Sequence, residues 1–524
     1  MTALAYGKAF VRTVNRGLLA LNTAVYCPHK SAVTRHRGRE NRQPYYGNAI
    51  KCIFQSQEAF LMSAKFGTSG LRGLVVELTD QIVTDHLRAF LSVCDVGGTL
   101  YVGHDLRDSS PALAAVARAT ALDAGVDVVF CGALPTPALA LAALKAGAGA
   151  LMVTGSHIPA DRNGLKFYTS RGEITKTDET AILGALGQPA WGLSAEESEG
   201  TEATARYRDR FLSAFGADAL RGARVGVYSH SAVGRDLMIE ILQGVGAEVI
   251  ELGRSDIFIP VDTEAVDAAT RAQLRAWSVE HDVDAIVSTD GDSDRPLVSD
   301  ATGRVVVGDV LGQITAVLLG AEVVVTPVSS NSGVDLGGRF AEVIRTRIGS
   351  PFVIAAMEDK AGTQVVGYEA NGGFLLGYDA AGPAGTLPML MTRDSMLPIL
   401  GALYAARAGD GIDLAARVAL EPARFTAADR LENVPLERSR DLVARLSGDS
   451  AVQDDLLGRL NLGRAVELDQ TDGMRLTSET GMVIHIRPSG NAPELRLYVE
   501  GEDQTSAFAT LDKGLDVLRD LLSR

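Results

Sequence analysis

From residue 99 onward the chain repeats one kind of unit, and this repetition restricts its fold more than any other feature. "TLYVGHDLRDSSPALAAVARATALDAGVDVVFCG" (99–132) reads as an apolar β-rich run, a polar turn, a long helical pattern, a glycine and a second β-rich run. "ARVGVYSHSAVGRDLMIEILQGVGAEVIELG" (223–253) reads the same way, and "AEVVVTPVSSNSGVDLGGRFAEVI" (321–344) is a third, less complete copy. Short strands alternating with amphipathic helices bury their apolar faces as βαβ units, so mixed, mostly parallel sheets are expected. Three copies imply three related α/β domains in tandem. Beyond about residue 425 the order changes: a helical run ("LERSRDLVARLSG"), β-rich "GMVIHIRPSG" and "LRLYVE", then a helix from about Thr505. Strands grouped between helices point to a smaller α+β domain. The expected domains are 62–205, 206–310, 311–425 and 426–524, consistent with 524 residues being too many for one core.

Charge separates residues 1–61 from the rest. That stretch holds nine Lys/Arg against two Asp/Glu, a balance of +7, whereas the remainder holds 41 against 63, a balance of −22. It is Arg-rich and weakly periodic, which suggests a disordered or dispensable extension rather than a targeting peptide, with Met62 as the natural start of the folded body. A body so acidic is a poor partner for nucleic acid, because a phosphate backbone needs a basic surface. The most apolar stretch, Ala133 to Val153, is broken by Pro135, Pro137 and Lys145 and reads as a buried helix and strand, not a membrane span. Cys27, Cys52, Cys94 and Cys131 show no CxxC spacing, which fits unpaired thiols in a reducing cytoplasm.

Five polar loops carry chemistry. "DGDSDR" (290–295) follows the apolar run "VDAIVST" and sets Asp290, Asp292 and Asp294 at alternate positions, expected to point to one side of an extended loop. Three hard oxygen ligands suit Mg²⁺, and the strand-like flanks argue against a calcium-binding EF-hand; the plain alternative is a solvated acidic turn. "TGSHIPADRNGLKFY" (154–168) follows "GALMV", so Ser156 should emerge at a strand end beside His157, with Lys166 folding back beyond an Asn-Gly turn. Such a serine can act as a nucleophile when a cation offsets the developing charge, although as a turn it needs no function. No GxSxG elbow is present, which argues against hydrolase-type acyl transfer. "RPSGNAPELRLY" sets Arg487, Ser489, Gly490, Asn491 and Arg496 about a turn whose backbone amides and arginines can grip a phosphate. "GYEANGGFLLG" (367–377) offers Glu369 and Asn371 to sugar hydroxyls, or is simply a hairpin turn. "KFGTSGLRG" (65–73) holds Ser69 and Arg72 without P-loop spacing.

Taken in order, these loops over residues 62–524 resemble the α-D-phosphohexomutase family. The resemblance implies four domains around a central cleft. It implies Ser156 as a phosphoserine with His157 beside it, and Mg²⁺ held by Asp290, Asp292, Asp294 and a phosphoserine oxygen. Lys166 and Arg72 become the acid and base candidates, and Arg295 orients the phosphate. Glu369 and Asn371 contact the sugar, while Arg487, Ser489, Gly490 and Asn491 grip the non-reacting phosphate. A hexose 1,6-bisphosphate would be both intermediate and activator. The chain departs from the family at Ile158, where asparagine is usual. Its sugar loop lacks Glu-x-Ser-Gly-His, and Asn491-Ala492 stands where Thr-Glu is common. "HSAVGRDLMIEIL", "GRSD" and "PVDTEAV" (230–266) with "EANGG" look most like bacterial members acting on mannose phosphates. The implied reaction is mannose 6-phosphate ⇌ mannose 1-phosphate, with glucose phosphates as the runner-up and glucosamine phosphate behind both. The expected partner is a sugar phosphate, with no nucleic acid or membrane, and a monomer or weak homodimer is expected. A catalytically silent binding protein and a metal-dependent phosphatase are the readings from other classes.

Overall fold

The computed structural model describes residues 64–67, 70–409, 411, 413–489 and 493–523. The expectations for residues 1–61, for Met62 as a start, and for Ser69, Gly490 and Asn491 lie outside the described residues. Cys27 and Cys52 do as well.

Four large sheets follow one another along the chain, with a two-stranded ribbon of Ala380–Ala381 and Thr386–Leu387 inserted between strands of the third, and the first three share one pairing pattern. In the first, strands Asp127–Ala133, Thr99–His104, Gly149–Val153, Arg162–Thr169 and Leu71–Leu74 lie side by side within an eight-stranded sheet. The second runs Glu248–Leu252, Arg224–Tyr228, Ala285–Thr289, Pro296–Asp300, Val305–Val306. The third runs Glu342–Thr346, Val323–Pro327, Val365–Tyr368, Phe374–Leu376, Leu390–Asp394. Each of these five-strand runs has two parallel pairings followed by two antiparallel ones. The sheets are therefore mixed, with the parallel part confined to one half. The reason is connection length. Helices such as Ser110–Asp123 and Arg235–Gly244 supply the crossovers that parallel strands require, whereas short turns such as 290–295 permit only an antiparallel return. The third copy, incomplete in sequence, has the 3₁₀ turn Ser332–Asp335 where the others have a full helix.

One topological position recurs. In all three units the third strand of the run is buried along its whole length, and the turn leading to the fourth carries a polar loop. Gly149–Val153 leads to Ser156, Ala285–Thr289 to Asp290, and Val365–Tyr368 to Glu369. The fourth sheet is wholly antiparallel, in the order Phe425–Glu432, Glu494–Gly501, Val483–Pro488, Met474–Ser478, Ala465–Asp469. Its turn between Val483–Pro488 and Glu494–Gly501 contains Ser489. Helices Leu436–Gly448 and Gln504–Ser523 pack against this sheet.

The packing is shared unevenly. One core cluster runs from Leu134 to Leu414 and joins side chains of the first three sheets, including Met152, Val287 and Tyr368. A separate cluster from Ala427 to Leu521 belongs to the fourth sheet and its helices. No helix among the described residues is long and apolar enough to cross a membrane.

Candidate active site

The strand Gly149–Val153 is apolar and fully buried, so the chain leaves it directly into a polar turn. Ser156 sits there in the left-handed region with φ 55°, a conformation that costs a side-chain-bearing residue energy and marks a constrained site. Its N–H donates to Thr154 Oγ1 at 2.8 Å, and that hydroxyl donates to Asp105 Oδ2 at 2.7 Å. Ser156 Oγ is aimed at the second sheet: it donates to Asp290 Oδ2 at 2.5 Å and lies 3.3 Å from His157 Nδ1.

The 290–295 loop is a tight turn, not the extended segment expected from its alternating acids. Asp290 N–H donates to the Arg295 carbonyl, Ser293 N–H to the Asp290 carbonyl, and Ser293 takes φ 57°. Asp290 Oδ1 accepts the N–H groups of Asp294 and Arg295, both at 3.2 Å, which folds the turn back on its first carboxylate. The convergence of the acids nevertheless holds: one carboxylate oxygen from each of Asp290, Asp292 and Asp294 lies within 4.8 Å of the others, and all three residues are buried. Gly291 is needed here for space, since an added Cβ would come within 2.8 Å of the Ser156 carbonyl and 2.9 Å of the Phe258 ring.

Lys166 reaches the cluster from a strand. Asn163-Gly164 forms no turn; it lies inside Arg162–Thr169, which returns antiparallel to Gly149–Val153 with Lys166 opposite Met152. Lys166 Nζ donates to Asp292 Oδ2 and Asp294 Oδ2, each at 2.5 Å. Thr136, at the start of the helix Thr136–Ala146, donates to Asp292 Oδ2 at 2.6 Å. Arg393, 2% exposed on strand Leu390–Asp394, pairs with Asp294 Oδ2 at 2.9 Å and with Glu369 Oε2 at 3.3 Å. Arg295 donates to His157 Nδ1 at 2.8 Å. Arg72 donates to the Thr154 carbonyl from the neighbouring strand.

Burial and neighbouring charge together set the protonation pattern. Burial, then the carboxylates of Asp292 and Asp294, push Asp290 well above the usual carboxylate range. Burial would also raise Asp292, but Lys166 and the Thr136 hydroxyl outweigh it and hold the group below that range. Asp294 is lowered as well: Arg393 is the main influence opposing its burial. Burial and the Arg295 cation pull His157 down to about 3, so at neutral pH its ring is uncharged. Arg72 is pulled down to about 10, chiefly by burial.

The residues expected from the sequence thus fall into two groups. Ser156, His157, Lys166, Asp290, Asp292, Asp294 and Arg295 meet directly, and Glu369 joins them through Arg393. Arg487 lies on the fourth sheet opposite Arg496 and pairs with Asp472 at 3.3 Å, while Ser489 N–H donates to the Glu494 carbonyl at 2.9 Å. Asn371 turns into its own loop, its Oδ1 accepting Gly373 N–H at 3.0 Å. A cavity of about 870 Å³ opens beside the loop, lined by Glu264, Ala370, Arg304, Arg475, His485 and Tyr498 among others; it includes neither Ser156, Lys166 nor the three aspartates. Sequence reading missed Asp105, Arg107, Thr136 and Arg393. Asp105 and Arg107 had a signal of the kind that singled out 290–295: an acid and a base just after a β-rich run, in "HDLRDSS". Arg393 in "MTRDS" had none, because its importance lies in partners far along the chain.

Two features fit a divalent cation. Asp292 Oδ1 and Asp294 Oδ1 are buried without a hydrogen-bond partner, and the donor set consists of hard oxygens.

Comparison with known proteins agrees with this architecture. The chain matches the models of phosphoglucomutase/phosphomannomutase α/β/α domain I over residues 63–188, α/β/α domain III over 300–423 and the C-terminal domain over 431–514. It is 46% identical over 473 residues to a phosphomannomutase of Sinorhizobium fredii, covering 87% of this chain and 99% of that protein. With a phosphomannomutase of Salmonella muenchen the identity is 40% over 483 residues, covering 91% and 100%. The fold is also that of a phosphoglucomutase/phosphomannomutase family protein from Burkholderia thailandensis, with a TM-score of 0.68, 20% identity, and 88% and 97% of the two chains covered. The chain belongs to the phosphoglucomutase/phosphomannomutase family.

Proposed function

We propose that this chain interconverts mannose 6-phosphate and mannose 1-phosphate, with Ser156 carrying the phosphoryl group. The observation that carries this reading is the 2.5 Å contact between Ser156 Oγ and Asp290, inside a buried cluster of three carboxylates. A phosphate on Ser156 adds a charge of about −2 to a buried cluster that already holds the carboxylates of Asp292 and Asp294, a load that a cation at the three aspartates would offset. Asp290, Asp292 and Asp294 would hold Mg²⁺ there together with a phosphoserine oxygen. When bound, the ion supplies charge stabilisation for phosphoryl transfer.

The chain's own residues do the rest. Phospho-Ser156 donates to a hydroxyl of the hexose phosphate, giving a hexose 1,6-bisphosphate. The sugar turns over, and its other phosphate returns to Ser156. Lys166, between Asp292 and Asp294, and Arg72, beside the stem of the loop, are the groups in reach to pass protons and offset charge at the transferring oxygen. Neutral His157, fixed by Arg295, contributes hydrogen bonding without adding charge. Arg487, Ser489, Gly490 and Asn491 grip the phosphate that does not react. Glu369, held by Arg393, selects sugar hydroxyls with Asn371. A trace of hexose 1,6-bisphosphate primes the serine. We assign the domains as 62–205, 206–310, 311–425 and 426–524, the first with the 65–73 and 154–168 loops and each of the others with one polar loop. A cytoplasmic location accords with Cys94 and Cys131 being unpaired.

The test is incubation with mannose 1-phosphate, Mg²⁺ and a trace of hexose 1,6-bisphosphate. Mannose 6-phosphate is the expected product. No isomerised product would end the mutase reading, and stoichiometric inorganic phosphate would point to a phosphatase. Running glucose 1-phosphate in parallel ranks the two sugars, which differ in the orientation of one hydroxyl.

A further inference from the structure

A guanidinium has five N–H donors in a fixed plane. In Arg107 every one of them is used. Nε donates to Asp105 Oδ2 at 3.2 Å, Nη1 to the carbonyls of Pro159 and Arg162 at 2.7 and 2.9 Å, and Nη2 to those of Ser156 and Ile158 at 2.9 and 2.6 Å. The side chain is 1% exposed and fills the inside of the loop that carries Ser156. Gly155 makes the room, since a Cβ there would fall 2.4 Å from the guanidinium carbon. On one side the Asp105 carboxylate accepts from Thr154 Oγ1, Gly155 N–H, Ser110 Oγ and the Arg107 N–H. On the other the Phe258 ring covers the guanidinium, with its centroid 3.9 Å away.

We propose that Arg107 is the positioning residue for Ser156: it holds the loop from within so that a serine in the left-handed region keeps its hydroxyl on Asp290. The proposal rests on Ser156 being the phosphoryl carrier. The bond from Nη2 fixes the carbonyl of Ser156 itself, and with it the peptide plane that sets the direction of the side chain. The other three carbonyl contacts close the loop around that point. With all five donors committed to the loop and Asp105, Arg107 has none left for a phosphate. It acts through the loop and not on the transferred group. The contact at position 158 is to a backbone carbonyl, so it does not depend on whether isoleucine or asparagine stands there. Lysine, with three donors and no plane, cannot reproduce the set.

The test compares wild type with Arg107→Lys in two measurements: steady-state turnover of mannose 1-phosphate, and hydrogen exchange of the amides in 154–162. Misplacing the serine should lower kcat about a hundredfold. KM should stay within about threefold, because uniform binding of the non-reacting phosphate is assigned elsewhere. Exchange in 154–162 should rise at least about tenfold, while strands Gly149–Val153 and Ala285–Thr289 keep their protection. A loss of packing alone would loosen those strands too. In Arg107→Ala, added guanidinium should restore part of the turnover, and methylammonium should not. A folded Arg107→Lys with kcat within about threefold of wild type, or with unchanged exchange in the loop, overturns the proposal. If Arg107→Lys does not fold, Phe258→Leu decides. It removes the ring and keeps every hydrogen bond, so kcat should fall about fivefold with faster loop exchange, and no change in either overturns the proposal. Wild type without mutase turnover would refute the functional reading instead, and the exchange result would still decide whether Arg107 holds the loop.

Discussion

Ser156 has little chemistry in isolation, since a serine hydroxyl is a weak nucleophile until its surroundings change it. Here a constrained backbone and one short contact to Asp290 supply those surroundings. Ser156→Ala should therefore lower turnover on the order of a thousandfold or more, and intact-mass measurement should show a phosphate on wild type that the variant lacks. Near-wild-type rates in the variant would mean that another group carries the phosphate. A second residue-scale prediction concerns Asp309, buried at the start of helix Gly308–Leu318, whose carboxyl is pushed up from 3.8 to about 6, chiefly by burial. The folded protein holds that proton more tightly than the unfolded chain. Its contribution to stability is then unimpaired below about pH 4, falls as pH rises toward 6, and stays low above that. Asp309→Asn removes the titration. It should match wild type in urea unfolding at pH 4 and exceed it at pH 8, by at most about 3 kcal/mol for a shift of roughly two units. Equal gains at both pH values would contradict this.

At the scale of elements, the telling regularity is that each α/β unit presents its polar loop from one position, the turn between the third and fourth strands of the run. A fully buried central strand delivers the chain to one end of its sheet, and the turn must then satisfy its own polar groups, so it becomes a dense hydrogen-bonded structure. The loop sequences displayed this: "GALMV" gives way to the polar Thr154-Gly155-Ser156, and "AIVST" stops directly at Asp290. The turn conformations were less legible, because alternating acids look the same in an extended segment as in a tight turn, and Asn163-Gly164 looks like a turn while pairing inside a strand. Elements also meet at glycine. A Cβ on Gly308 would fall 2.3 Å from the Ala370 carbonyl and from Gly372 N, in the loop of Glu369. Gly308→Ala should displace that loop, raising KM for the sugar phosphate several-fold and destabilising the protein by about 1–3 kcal/mol. An unchanged KM would show that Glu369 is not held from this side.

For the whole molecule, the division of the core matters most. The first three sheets share one apolar cluster, whereas the fourth sheet has its own. Contacts between the two parts include polar ones, such as Ser332 N–H and Arg424 with Glu500, and Ile348 N–H with Asp472. Among the described residues the two clusters have no buried side chain in common. Residues 427–521 should therefore lose hydrogen-exchange protection at a lower urea concentration than the body, or at a higher one, but not together with it. Coincident loss across both parts would contradict the separation. What the sequence determined by itself is local: which runs are strands or helices, that a unit repeats, and that acid, serine and arginine loops interrupt buried strands. These follow from periodicity and from the cost of leaving polar groups unsatisfied, both readable over a dozen residues. What only the tertiary structure decided is pairing. Lys166 meets Asp292 across 126 positions, Ser156 meets Asp290 across 134, Arg107 closes on the Ile158 carbonyl 51 positions away, and Arg393 acquires its role from a partner 99 positions away. The physical reason is that charge compensation and loop closure depend on distance in space, which the chain sets only once its sheets have packed.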